Sequence, residues 1–156
     1  MKQFFFITIM LLMFRAADAQ SQFQEKIIVV EKDFTANYYT NEDYVIITIL
    51  SKFVPSIYTD INKNNLIDPF IEKIYSVSRG NNLCVANVLE GESSTTCDQA
   101  TNAILVAKNN EYQFIIPKNE LTYIPKEPIF LTFGAWNEEK KIHFTISNKN
   151  KSYVLN

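Results

Sequence analysis

Nine consecutive residues, Asp60-Ile61-Asn62-Lys63-Asn64-Asn65-Leu66-Ile67-Asp68, carry oxygen-bearing side chains at alternate positions and close on an Asp. That is the spacing of a calcium loop. Ca²⁺ takes six to eight hard oxygen ligands at ~2.3–2.6 Å, and a loop supplies them when alternate residues turn inward. Asp60, Asn62, Asn64 and Asp68 would offer side-chain oxygens, and Leu66 its backbone carbonyl at the seventh position, where such loops use the main chain. Asn65 takes the sixth position, usually Gly, and tolerates a left-handed turn. With two carboxylates the site is expected to hold a structural ion weakly, at a Kd of ~10⁻⁴ to 10⁻³ M. The competing reading is an Asn-rich surface turn in an Asn-rich chain.

The loop resembles an EF-hand or dockerin loop, with two departures. Ile71 stands at the twelfth position in place of the bidentate Glu, and Glu72 falls one residue late. The incoming segment, Ile49 to Thr59, carries Pro55 and β-branched residues where an EF-hand needs a helix. The closer likeness is to helix-free Asp-x-Asn-x-Asn-x-x-x-Asp loops between strands of extracellular β proteins.

Aromatic residues are the second chemical signal. Sugar rings stack on Trp and Tyr, with nearby polar groups fixing their orientation. Trp136 ends an apolar run beside Asn137, and Tyr38, Tyr39 and Tyr58 fall in expected turn regions, where they would be accessible. These four are the candidate ligand-binding residues; the alternative is that aromatics fill a β core.

Catalytic candidates are thin, and no enzyme is expected. The single histidine, His143, falls on the wet face of an alternating segment. Ser93 to Thr96 lies between the two cysteines, while Glu42-Asp43, Glu90 with Glu92, and Glu138-Glu139 sit at turns, where solvation explains them. The three glycines are too dispersed for a phosphate-cradling loop.

The elements that must position these residues are strands. Apolar and β-branched runs recur between Asn, Asp, Lys, Gly and Pro, the rhythm of an all-β domain. We read Lys26 to Glu31, Tyr44 to Phe53, Ile71 to Val77, Leu83 to Leu89, Ala103 to Ala107, Tyr112 to Ile116, Ile129 to Ala135, Ile142 to Ser147 and Ser152 to Leu155. The expected fold is an antiparallel β-sandwich, jelly-roll-like, of eight or nine strands. Asn109-Asn110 should form a tight hairpin, because Asn accepts the positive φ of a two-residue turn. Tyr44 to Leu50 is apolar on both sides and belongs in the interior of a two-sheet sandwich or beneath a covering loop.

Residues 1–19 read as a secretory signal: Lys2, the apolar run Phe4 to Phe14, and the cleavage pattern Ala17-Asp18-Ala19. The run is shorter than the ~20 residues of a membrane-crossing helix. Residues 20–156 then form a single domain, secreted or periplasmic. Cys84 and Cys97 are the only cysteines, and an even count in an exported chain predicts that they pair. With 15 Lys plus Arg against 17 Asp plus Glu, no basic surface suits nucleic acid. Asn150-Lys151-Ser152 fits the N-glycosylation pattern.

The run Tyr112-Gln113-Phe114-Ile115-Ile116-Pro117-Lys118-Asn119-Glu120-Leu121, followed by Ile129-Phe130-Leu131-Thr132-Phe133, resembles the strand, Ile-Pro, Glu-Leu and strand pattern of family 9 carbohydrate-binding modules and DOMON-like sandwiches. Tyr44 to Leu50 is similar to that group's early core strand. The resemblance implies a β-sandwich, a group in which bound calcium is common, and sugar binding. Its sugar-binding members clamp ligand between two tryptophans; this chain has Trp136 alone, so that site does not carry over. Haem-binding relatives use Met and His ligands, and all three Met of this chain lie within residues 1–19. The expected function is a calcium-stabilised β-sandwich binding module with carbohydrate as ligand. The alternative is a non-catalytic structural or protein-interaction domain, which a contiguous exposed apolar face would favour.

Overall fold

The computed structural model describes residues 26–60, 72–87, 97, 99–121, 127–146 and 152–155. Sheet A holds β1 (Lys26–Glu31), β2 (Phe34–Thr40), β3 (Tyr44–Ser51), β8 (Glu111–Pro117) and β7 (Ile104–Lys108), in that spatial order. Sheet B runs β10 (Ile142–Ile146), β9 (Ile129–Asn137), β4 (Val54–Thr59), β5 (Lys73–Ser78) and β6 (Asn82–Asn87), with β11 (Tyr153–Leu155) also on β9. The pairings are antiparallel throughout. One helical turn, α1 (Lys118–Leu121), follows β8.

Alternation builds the core. In sheet A, Tyr38, Ile47, Phe114 and Leu105 form one inward row across four strands, and Ala36, Ile49, Tyr112 and Ala107 form the next. Ile57, Tyr75, Val85, Leu131 and Phe133 come to meet them from sheet B. Phe34 and Phe133 touch edge to face across the gap at 6.1 Å. Each such fully buried ring stabilises the fold by roughly 1.5–3 kcal/mol.

The all-β sandwich, the disulfide and the Asn109-Asn110 hairpin agree with expectation. Both Asn take positive φ, 52° and 65°, as a primed hairpin turn demands. Three strand boundaries differ. Phe34–Thr40, expected as turn, is a strand whose Phe34, Ala36 and Tyr38 face inward while Thr35, Asn37 and Tyr39 face outward. The expected strand Tyr44 to Phe53 ends at Ser51, whose hydroxyl accepts a hydrogen bond from Phe53 N at 3.0 Å as the chain crosses between sheets. The segment expected as a loop entry is β4, a central strand of sheet B despite Pro55. That proline stands just before pairing with β5 begins at Ser56, so its missing N–H leaves no gap in that ladder. The count among the described residues is eleven strands rather than eight or nine.

Two clasps close the β6 end of the sandwich. The Cys84–Cys97 disulfide, with Cα atoms 4.9 Å apart, holds residue 97 against β6, and Gln99 N donates to Val85 O beside it. Closing a loop of this size stabilises by ~3 kcal/mol in the chain-entropy account. Glu120, on α1, accepts from Tyr75 OH at 3.2 Å, Thr101 Oγ1 at 2.6 Å and Asn102 N at 2.9 Å. Burial and the neighbouring Glu120 carboxylate push the Tyr75 phenol far up, so it remains a donor.

Candidate binding face

The register of β4, β9 and β10 sets three rows on the outer face of sheet B. Val54, Trp136 and His143 lie side by side, then Ser56, Gly134 and Thr145, then Tyr58 and Thr132. Because side chains alternate, Trp136, His143, Ser56 and Tyr58 all point away from the core. Trp136 and Tyr58 sit two rows apart, roughly 13 Å along the strands at ~3.3 Å per residue.

Gly134 lies between them, and its lack of a side chain shapes the face. A Cβ there would stand 2.6 Å from His143 Nε2, 2.6 Å from Ser56 Oγ and 2.8 Å from Tyr58 Cε2. Those three side chains therefore close over bare backbone. Tyr58 OH and His143 Nε2 are hydrogen-bonded at 3.1 Å, with the rings edge to face at 6.1 Å. With the imidazole neutral and its proton on Nδ1, Tyr58 is the donor. Partial burial lowers the His143 pKa, which favours the neutral ring. Burial pushes the Tyr58 phenol up, and the nearby Ser56 hydroxyl offsets part of that rise. Ser56 Oγ is itself buried and has no hydrogen-bond partner of good geometry among the described residues. Trp136 remains 36% exposed at the far end of the face.

The same face continues past Tyr58 into an acidic corner. Asp60 directly follows β4, two residues past Tyr58, and its N–H donates to Phe130 O, which continues the outward parity of Ser56 and Tyr58. Its carboxylate is buried and accepts a 2.5 Å hydrogen bond from Ser152 Oγ, beside Thr132. Glu72, at the other end of the 61–71 segment, is also fully buried. Asn62, Asn64, Leu66 and Asp68, the remaining candidate calcium ligands, lie outside the described residues, as does Asn150. Among the described residues no three His, Cys, Asp or Glu side chains gather as a metal site.

Of the four aromatic candidates, Trp136 and Tyr58 come together on this face. Tyr38 does not: it is a core residue of sheet A, 6% exposed, and the expectation that it lies in an accessible turn is corrected. Tyr39 is in β2 as well, half-buried on the outer face of sheet A. His143 and Ser56 were not among the sequence candidates. The sequence signal that could have found them is Gly134 inside a strand, since a strand glycine often marks close approach by another group.

No family model matches this chain, and neither a curated protein nor a solved structure matches it.

Proposed function

We propose that this chain is a secreted binding module that takes carbohydrate on the outer face of sheet B. The observation that carries the reading is the grouping of Trp136, His143 and Tyr58 around Gly134 on one exposed sheet face. A sugar presents apolar C–H faces and a rim of hydroxyls. Trp136 offers a stacking surface, and Tyr58 OH and His143 offer a donor and acceptors beside it. The disulfide and the signal-like residues 1–19 support an oxidising, extracytoplasmic location. Among the described residues no helix is long and apolar enough to cross a membrane.

Calcium enters the proposal as a structural ion held by Asp60, Asn62, Asn64, Asp68 and the Leu66 carbonyl. What supports the ion is the alternation of oxygen-bearing side chains from Asp60 to Asp68 in the sequence, with Asp60 following directly on the strand that carries Tyr58. The ion would brace the loop that follows Tyr58 on the same strand.

The test is a glycan array probed with the purified protein in calcium-containing buffer, alongside Trp136→Ala and Tyr58→Ala. A defined set of glycans should bind, and truncating a stacking aromatic should weaken binding about 30-fold, the size of a ~2 kcal/mol hot spot. Binding to no glycan, or binding that survives both substitutions, refutes the reading.

A further inference from the structure

The outer face of sheet A is unusually apolar, and much of it, though not Ile46, is open to solvent. Three rows cross it in register. Val30, Thr35, Leu50, Glu111 and Lys108 form the first, and Ile27, Asn37, Thr48, Gln113 and Val106 the second. Tyr39, Ile46, Ile115 and Ile104 form the third. Five of these side chains are large, apolar and half or more exposed: Ile27 at 70%, Val30 at 71%, Leu50 at 50%, Ile104 at 55% and Val106 at 53%. Among the residues of these three rows the charges are Lys108 and Glu111, cross-strand neighbours at one corner. Within Tyr44 to Leu50, expected to be buried on both sides, Ile46 is buried on this face as well, while Tyr44 and Leu50 are exposed.

We propose that this face pairs with the same face of a second copy of the chain. The order of residues within the rows is self-complementary about a two-fold axis running along β3, the middle strand. That operation lays β1 of one copy over β7 of the other and β2 over β8. Ile27 then meets Val106, Tyr39 meets Ile115, and the amide of Asn37 meets that of Gln113. Leu50 and Thr48 each meet their own counterpart, while Ile46, on the same line, is already buried in the single copy. Apolar groups thus face apolar groups and amides face amides, while the aliphatic stem of Lys108 covers Val30. Aligned packing of two sheets face to face is a standard geometry, about 10 Å apart.

The footprint is large enough for association and small enough to be reversible. Five strands at ~4.8 Å and three rows at ~6.7 Å give roughly 1,000 Å² for the two copies together, near the lower limit of specific interfaces. Reversible association is therefore the expected behaviour. The stretch between the expected cleavage point and Lys26, Gln20-Ser21-Gln22-Phe23-Gln24-Glu25, has one apolar side chain to offer the face and is a poor rival occupant. Pairing through sheet A leaves both sheet B faces pointing outward in opposite directions. If those faces bind ligand as proposed above, the dimer is bivalent and gains avidity on repetitive targets.

The experiment is sedimentation velocity of the purified protein from low micromolar to several hundred micromolar. Ile27→Glu, Val106→Lys and the double variant Ile27→Glu/Val106→Lys are run beside it. Ile27 and Val106 lie on opposite edge strands, about 19 Å apart across four strand spacings, so they cannot pair within one chain. Both are exposed, and circular dichroism melts should show each variant folded. A wild-type dimer, weakened at least tenfold by each single change and restored to within a few-fold in the double variant, is the expected result. A protein that stays monomeric throughout, a dimer indifferent to the single changes, or a double variant that remains monomeric each overturns the proposal.

Discussion

Gly134→Ala adds one methyl group to the protein and should nonetheless destabilise it measurably. In an open strand position the change would stabilise by ~0.5–1 kcal/mol, because Gly loses the most backbone freedom on folding. Here the new Cβ meets three atoms closer than 3.0 Å: His143 Nε2, Ser56 Oγ and Tyr58 Cε2. His143 can swing to solvent, but Ser56 is buried on the neighbouring strand and the Tyr58 ring is wedged beside it. Forced repacking of that kind costs about 1–3 kcal/mol, and losing the Tyr58–His143 hydrogen bond adds about 0.5–1.5 kcal/mol. The net loss is about 2 kcal/mol, a fall in Tm of roughly 8 °C for a domain of this size. The assay is thermal and urea unfolding followed by circular dichroism, paired with an NMR titration of the single histidine. Displacing the imidazole into water should return the His143 pKa towards its ordinary value. Ser56→Ala in the Gly134→Ala background should recover part of the loss, with a coupling of at least ~0.5 kcal/mol. A variant as stable as wild type with an unmoved histidine titration would refute the account of this face.

Glu120→Ala should lower stability by about 2–3 kcal/mol in urea unfolding, because Tyr75 OH, Thr101 Oγ1 and Asn102 N lose their common acceptor; Glu120→Gln should lose less. A loss below 0.5 kcal/mol would mean that water replaces the clasp. The His143 pKa is depressed in the folded protein, so its contribution to stability is fully present above the unfolded value near 6.5 and is lost as pH falls through the folded value. The Tm of wild type should therefore drop below pH ~6.5 more steeply than that of His143→Phe, and equal slopes would show that the imidazole is not desolvated. Calcium at about 5 mM should stabilise the protein by ~1–2 kcal/mol over EDTA if the loop binds at ~10⁻³ to 10⁻⁴ M. Asp68→Ala should abolish that gain, and no calcium-dependent shift would sink the metal site. Asp60→Ala is the poorer control, since it also removes the acceptor of the buried Ser152 hydroxyl.

Strands that alternate strongly were readable in the sequence, and so were the hairpin turn and the disulfide. Ile142–Ile146 and Glu111–Pro117 announce themselves because one face is apolar and the other polar. Phe34–Thr40 does not, because Thr35, Asn37 and Thr40 on a strand and the same residues in a turn look alike locally. What decides between them is pairing on both sides, Phe34 with Ser51 and Glu31 with Phe34, and pairing is a tertiary fact. The break at Ser51 was hidden for a related reason: apolar residues continue through Phe53 and Val54 into the next strand, so composition does not change where the chain leaves one sheet for the other. For the candidate site, residue type led to Trp136 and Tyr58, but which aromatics share a face depends on strand order. That order sends Tyr38 into the core and brings His143, from a distant hairpin, against Tyr58.

The two chemical signals of the sequence also prove to be joined through one strand. Ser56, Tyr58 and Asp60 alternate on the outer side of β4, so the aromatic group and the first candidate calcium ligand share a face and a register. A one-residue slip of β4 would turn all three into the core and turn the buried Ile57 and Thr59 out of it. Pro55 opposes that slip. Asp60 N donates to Phe130 O, which sets the even-numbered residues of β4 as the donors towards β9 and leaves Pro55 facing the other way. Shifted by one, the strand would place a residue without an N–H where β9 needs a donor. The proline that argued against an EF-hand helix in the sequence is thus compatible with one register of β4, the register that presents Ser56, Tyr58 and Asp60 together.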